Sequence, residues 1–592
     1  MAPDADEVTG EMSDGLQVEL FHPDSDREPG DTNIERWGFD VHPIVFPVAL
    51  LLIGAFIALT ILGPEFGLNV AAGYNWLFET IGQTFGWFYL LAVNVFIVVL
   101  LYFAFSKYGS IKIGGVQAEK EFSDFSWMAM LFSAGMGIGL MFFSVTEPMF
   151  YLNTPPSFFG AEAGTGAAGT AALAQTFFHW GFHPWAVYGL VGLGLAFFSF
   201  NRGLPLTFRS IFWPLLGDRI YGWPGHVIDL VTVFATLFGL ATSLGLGVAQ
   251  VNSGLSYVFG PEMLGVMNIP TGVVPQVVLI AFITAIATLS VAAGLDGGVK
   301  RLSTLNLYLM LALLGFVIIV GPTVFIFGAW VEGLGAYFQN ILGLGFFTGT
   351  MGPAENATPT AWTIFYWGWW IAWSPFVGMF IARISKGRSV REFVLGVLFL
   401  PSMFSTIWLS AFGGTALSMA IGGGTVQSAY SSLGYGSFET LGMFVMLNQL
   451  PLGVISGLLA TLLVVTFFVT SSDSGSLVID HLTSGGKHDV PKTQRIFWAV
   501  TEGGVAAVLL LGGGLTALQT AAITTGLPFA AILTLMCYTV YLGLDNEYEI
   551  LESEAFADRI EDLTSEEDVT IATSGDEMVT DISSDDAAGS SD

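Results

Sequence analysis

The sequence predicts an all-α membrane protein of twelve transmembrane helices. Three observations carry that prediction: where the basic residues fall, how apolar the chain is, and how its apolar runs are spaced. All 18 Lys and Arg residues can be placed on one side of a bilayer. Lys107, Lys112 and Lys120 share one turn between apolar runs, and Arg202, Arg209 and Arg219 share another. Then come Lys300 and Arg301, the group Arg383, Lys386, Arg388 and Arg391, and finally Lys487, Lys492 and Arg495. The alternate stretches 65–85, 152–170, 256–273, 331–361 and 414–440 contain no Lys or Arg. Short loops rich in these residues stay cytoplasmic, so the alternation gives an even number of crossings with both termini inside. The chain has 592 residues, 53% hydrophobic and 11% charged, with mean hydropathy +0.68. No single aqueous core could hide that much apolar surface, which points to a multi-pass protein of the cell membrane.

Each crossing takes about 20 mostly apolar residues. Twelve runs qualify, near 43–63, 87–106, 126–151, 172–199, 226–255, 274–294, 304–329, 362–384, 393–413, 441–475, 495–513 and 519–543. Several exceed one straight span, so tilts or breaks are expected. No cleavable signal is expected ahead of the first, because residues 1–40 are acidic where a signal peptide is basic. The lone Cys537 falls in the last run and leaves no disulfide to form.

The net charge of −30 sits in the tails. Residues 1–40 hold 12 acids and 2 bases, and residues 545–592 hold 17 acids and 1 base. Such runs repel themselves and read as disordered, solvating tails, bounded here as 1–40 and 544–592. Their sign excludes a nucleic-acid partner. The isoelectric point near 4.3 points to a halophilic source.

Within the spans, three clusters break the apolar monotony. Gly135, Gly137 and Gly139 alternate in Leu131–Met141. Each glycine inside a helix costs about 1 kcal/mol against alanine. Small residues at a helix contact usually recur every fourth position, so alternate glycines predict a broken helix whose freed carbonyls line a cavity. Glu147, near the outer end of that span, reads as a hydrogen-bond partner rather than a proton carrier.

The second cluster is aromatic. Trp362, Phe365, Tyr366, Trp367, Trp369, Trp370 and Trp373 crowd one span. Trp362 to Trp373 covers roughly 16 Å along a helix, too deep for an interfacial belt. Trp369 and Trp370 each reach Trp373 at i+4 or i+3. Converging indole faces suit a quaternary ammonium group, which has no hydrogen-bond donor and is held by cation–π attraction. The segment from His179 to Tyr188 can supply the opposite wall through Trp180, Trp185 and Tyr188, provided Pro184 bends the helix to bring Trp180 round. His179 and His183 lack a third ligand and read as satisfied core histidines rather than a zinc site. The third cluster, Thr466 to Gly475, carries five hydroxyls and Asp473 in an apolar span, hard oxygens that suit Na⁺.

Taken in order, the Gly-Met-Gly-Ile-Gly run, the His-Trp…His-Pro-Trp…Tyr run, the stretch Trp362–Phe393 and the Thr-Ser-Ser-Asp-Ser-Gly run resemble the betaine/choline/carnitine transporters over about 40–545. The resemblance implies two N-terminal helices (41–125) and a 5+5 inverted repeat (126–329 and 362–543). An external amphipathic segment (330–361) would join the halves. It implies alternating access, a homotrimer, no cofactor, and Na⁺ as coupling ion. It assigns the substrate box to Trp180, Trp185, Tyr188, Trp369, Trp370 and Trp373. Phe365 would be a gating neighbour, and the backbone around Ala134, Met136 and Gly137 would face the substrate. One sodium would take Ser133, Met136, Phe467, Thr470 and Ser471; a second would lie against Thr236 and Phe376. The sequence departs from the family pattern at Leu240, where the second sodium's other threonine belongs.

The expected function is sodium-coupled import of glycine betaine, or a similar quaternary-ammonium solute, for osmoprotection. The alternatives within the resemblance are a proton-coupled choline carrier and a sodium-independent carnitine/precursor exchanger. Choline-selecting members resemble this chain but carry an acid in place of Gly139. A glycine there leaves the unwound stretch free for a substrate carboxylate, which favours a zwitterion. A receptor is disfavoured because no sensory domain is attached. An enzyme is disfavoured because no nucleophile–base pair, metal cluster or phosphate loop is present.

Overall fold

Where no water reaches, every backbone polar group must be satisfied within its own segment, so the apolar runs fold as helices. The computed structural model describes residues 29–134, 137–293, 300–352, 357–487, 489–565, 570–574 and 577–581. Two helices come first, α1 (Val45–Leu62) and α2 (Val70–Phe105). The run expected near 126–151 is two helices, α3 (Asp124–Ala134) and α4 (Ile138–Asn153). Between them Gly137 is extended, with φ −168° and ψ −171°, so the break falls at the alternate glycines.

The next crossing is also jointed, with α5 (Gly166–Trp180) and α6 (Phe182–Phe200) meeting at Gly181. The joint precedes Pro184 rather than lying at it. Gly181 leaves helical geometry at φ −98° and ψ −133°, and the Phe182 N–H turns to the Tyr337 hydroxyl, 3.2 Å away. Pro184 then sits in the first turn of α6, where its missing N–H is harmless.

There follow α7 (Trp223–Phe259), α8 (Val273–Ala293), α9 (Lys300–Val320), α10 (Thr323–Gly345), α11 (Ala357–Ile384) and α12 (Val390–Leu409). The short pair α13 (Thr425–Leu433) and α14 (Tyr435–Asn448) precedes α15 (Gly453–Thr483) and α16 (Lys492–Ser565). α15 runs unbroken through the Thr466–Gly475 cluster, so opened carbonyls there are not found. α16 is two helices joined at Gly513 and Gly514, the latter at φ +64°, a conformation glycine adopts without strain.

Ten described stretches are long and apolar enough to cross a bilayer. The difference from twelve apolar runs has two sources. α3 and α4 are each too short alone, and the last two runs fall within the single stretch Lys492–Ser553. The most apolar window of Gly166–Phe200 is 100% buried, against 22% for Val45–Phe66 and for Val273–Ala292. The core therefore lies along α5 and α6, with α11 packed on α6 and α7 packed on α11, α15 and α16. Cys537 is buried inside α16, its thiol 3.5 Å from the Leu533 carbonyl.

Both acidic tails carry structure beyond what composition suggests. Within the first forty residues, β1 (Ile34–Arg36) and β2 (Phe39–Val41) form an antiparallel hairpin. It is strapped to the turn between α15 and α16. The His42 N–H donates to Thr483 O at 2.8 Å, the Asp40 N–H to Gln494 Oε1 at 2.8 Å, and Asn33 Nδ2 to Ser484 O at 2.9 Å. At the other end α16 continues past residue 543 to Ser565, and β3 (Thr570–Ser574) pairs with β4 (Glu577–Asp581). Asp545 accepts from the Tyr108 hydroxyl at 2.7 Å and pairs with Lys107 at 3.0 Å, while Glu547 pairs with Arg202. Lys107 and Arg202, in the turns after α2 and α6, thus neutralise Asp545 and Glu547, which a count of charges along the tail does not reveal. The tail readings for residues 1–28 and 582–592 fall outside the described residues.

Candidate functional site

The jog at Gly181 turns Trp180 toward the same space as Trp185 and Tyr188, one helix later. α11 supplies the facing wall. Trp369 and Trp370 stack with centroids 4.7 Å apart and planes 15° apart. Trp180 stands edge-on to Trp370 at 4.8 Å, and Tyr188 lies 6.4 Å from the same ring. Trp185 meets Tyr188 at 5.3 Å. All five are buried, as is Phe365, which stacks on Trp369 at 5.5 Å.

The glycine break forms the floor. A Cβ on Gly137 would lie 3.9 Å from Trp373, and one on Gly139 would lie 2.8 Å from Trp369 and 2.9 Å from Trp180. The rings therefore close down on bare backbone at 139, which accounts for glycine there, while a Cβ at 137 would make only an ordinary contact. The cavity is about 40 Å³, lined by all six box residues together with Gly137, Gly139, Ser243 and Ser405, and by no Lys or Arg. Of the proposed backbone contacts, Met136 and the side chains of Ser133 and Ala134 lie outside the described residues.

Hydrogen bonds orient the box. Trp180 Nε1 donates to Glu147 Oε2 at 2.8 Å, Trp370 Nε1 to His179 O at 3.0 Å, and Trp369 Nε1 to Gly239 O at 3.3 Å. Each indole N–H is thus spent on the protein and its ring face left to the cavity. Trp373 differs: its indole N–H is buried without a protein acceptor. His183 stacks on Trp367 with planes 12° apart, and His179 bonds Glu147. Both histidines are held in the core by these contacts.

Two residues that motif reading left without a role in the box matter here. Phe143 touches the rings of Trp180, Phe365, Tyr366 and Trp369 at 5.4–6.4 Å and caps the box on the side away from the basic loops. Tyr366 stacks on Trp370 at 5.7 Å. Its place one turn before Trp369 and Trp370 is a signal that the helical spacing already contained.

Below the box lies a vestibule of about 210 Å³ running from Trp373 and Phe376 to Arg383. Phe467, Thr470 and Ser471 line it, so this part of the proposed ion set faces one space. The Thr470 hydroxyl lies 3.1 Å from both Thr466 O and Asn306 Nδ2. Thr236 is fully buried with its hydroxyl bonded back to Thr232 O at 2.8 Å, and it is not among the vestibule's lining residues. Among the described cavities, none is lined by both Thr236 and Phe376.

The sequence matches the family described as BCCT, betaine/carnitine/choline family transporter, over residues 44–549. It is 45% identical over 540 residues to glycine betaine transporter 1 of Vibrio parahaemolyticus, covering 88% of this chain and 97% of that one. A glycine betaine/proline/choline/ectoine transporter of the same organism is 44% identical over 533 residues, 88% of this chain and 91% of its own. A glycine betaine transporter of Acinetobacter baylyi is 44% identical over 506 residues, 85% of this chain and 74% of its own.

Proposed function

The chain belongs to the betaine/carnitine/choline transporter family, and from that membership we propose that it imports glycine betaine together with sodium as an osmoprotectant carrier. The protein is a multi-pass membrane transporter of small betaine-type solutes, not an enzyme. The single observation that carries the finer reading is the buried aromatic box, which has ring faces but no basic side chain at its walls. A quaternary ammonium group is attracted to such faces electrostatically. The unspent Trp373 N–H supports a substrate with an acceptor at its other end, as a carboxylate is and the hydroxyl of choline is only weakly.

Sodium coupling rests on hard oxygen donors. The Thr470 and Ser471 hydroxyls and the Phe467 carbonyl would hold the ion beside the vestibule, with Ser133 and Met136 completing the set. The ion's charge would favour binding of the zwitterion's carboxylate in a region without a fixed cation. A second sodium against Thr236 and Phe376 is disfavoured by Leu240.

The contracted box, its aromatic cap and the vestibule reaching Arg383 support an inward-facing state of an alternating-access cycle. Twelve crossings follow if α3 with α4 counts as one and α16 as two. The two-plus-ten arrangement as an inverted repeat, the homotrimer and cytoplasmic termini in the cell membrane extend the same reading. A broader solute range, including choline, is the second reading, favoured by the name of the Vibrio relative above.

The test is uptake of labelled glycine betaine into liposomes holding the purified protein, driven by a sodium gradient. Sodium-driven accumulation is the expected result. Binding without flux would mean a receptor, and equal uptake with potassium would mean an exchanger.

A further inference from the structure

Glu147 is fully buried in α4 behind the aromatic box. A carboxylate at that depth is costly unless its partners compensate, and an acid in a span marks a functional position by default. Its partners are specific. Oε1 takes His179 Nδ1 at 2.6 Å, while Oε2 accepts from Trp180 Nε1 at 2.8 Å and from the Tyr366 hydroxyl at 2.6 Å. His179 is braced in turn by the Thr363 hydroxyl, 2.9 Å from Nε2, and its own carbonyl holds the Trp370 indole. One carboxylate thus sets two box rings, Trp180 directly and Trp370 through His179.

The acceptors differ in kind. Trp369 and Trp370 donate to neutral backbone carbonyls, whereas Trp180 donates to a carboxylate. A charge-assisted hydrogen bond is roughly twice as strong as a neutral one, and low dielectric strengthens it further. Pulling on the indole proton pushes electron density back into the ring. Cation–π attraction depends on that density, so the Trp180 face becomes a better seat for a cation. The negative charge also lies one ring's width from the cavity, where little water screens it. A glutamine keeps the Trp180 and Tyr366 bonds through its one carbonyl oxygen, but it loses the charge and turns an amide donor toward His179 Nδ1.

We propose that Glu147 is the specificity-determining positioning residue of this site: it enriches and orients the Trp180 face so that the box selects a quaternary nitrogen over an uncharged group of the same shape. This rests on the betaine reading above. Glu147 does not touch the substrate; it acts on Trp180 directly and on Trp370 by way of His179.

The experiment compares two ligands by fluorescence titration of the full-length purified protein. One is glycine betaine; the other is 3,3-dimethylbutanoate, in which carbon replaces the quaternary nitrogen. The unmodified protein should prefer betaine. Glu147→Gln should reduce that preference about fivefold while changing affinity for the carbon isostere little. A preference that stays constant, or equal loss for both ligands, would overturn the proposal and leave Glu147 a scaffold residue. If Glu147→Gln does not fold, Tyr366→Phe decides: it removes a donor but keeps the charge, so the preference should survive, and its loss would equally overturn the proposal. If the unmodified protein shows no preference for betaine, the reading of the box itself fails, a result separate from any variant's.

Discussion

Leu240 occupies the space beside Gly475: a Cβ built on Gly475 would lie 2.3 Å from a Leu240 methyl carbon. The hydroxyl expected at 240 is thus replaced by apolar packing against the ion-cluster helix. Uptake should therefore rise with sodium concentration along a hyperbola. A sigmoidal dependence would show that two sodium ions act together and that Leu240 does not remove the second.

Thr470 and Ser471 face the vestibule from an unbroken helix. Their double alanine variant should raise the sodium concentration needed for half-maximal uptake, with betaine binding at saturating sodium less affected. An unchanged sodium requirement would place the ion elsewhere.

Trp370→Leu or Trp373→Leu should weaken betaine binding by about 1–2 kcal/mol, roughly tenfold. Phenylalanine at either position should cost less, since it keeps a ring face. Normal binding by the leucine variants, measured by equilibrium titration, would remove the box from the site.

Gly139 has no room for a side chain, with Trp369 and Trp180 both within 2.9 Å of its ideal Cβ. Gly139→Ala should displace those rings and lower affinity for every quaternary-ammonium substrate. Gly139→Asp adds a charge to the same displacement. It should lose more betaine affinity than alanine does and shift competition toward choline, whose bare cation gains from the acid. If excess choline already competes with betaine uptake in the unmodified protein as well as betaine itself does, Gly139 is not the discriminator.

His42 gives a pH prediction. Its Nδ1 accepts from the Ile44 and Val45 N–H groups at 3.2 Å, capping α1, so the ring must be neutral to serve. Burial, with Arg209 and His226 adding to it, brings its pKa down to about 3. An unfolded histidine titrates near 6.5. The contribution to stability is therefore complete above pH 6.5 and declines as pH falls from there toward 3. The hydrogen-exchange protection of residues 33–45, taken relative to the base-catalysed intrinsic rate at each pH, should be lower at about pH 5 than at about pH 8. A flat profile would show that the cap does not depend on this ring.

The parts of this molecule that local chemistry decides were legible before the fold was known. Alternate glycines announced the break before Ile138, and indole spacing announced the wall of Trp369, Trp370 and Trp373. What chain-order reading missed depends on distant partners. The joint at Gly181 owes its geometry to Tyr337, 156 positions further on. Phe143 reads as one more apolar residue until four rings converge on it. The β1–β2 hairpin is legible only once Thr483 and Gln494 are known to lie beside it. Leu240 was visible as a departure, but that its methyls fill the Gly475 groove was not.

The solitary thiol has a practical consequence. Cys537 is buried in α16, bonded to a carbonyl of its own helix, and polar maleimides or spin labels reach such a group poorly. A cysteine introduced at Arg383, which is part-exposed on the vestibule, would then be the dominant reactive site in an otherwise native background. A label there could follow, in a working liposome, whether the vestibule opens as sodium and betaine are added.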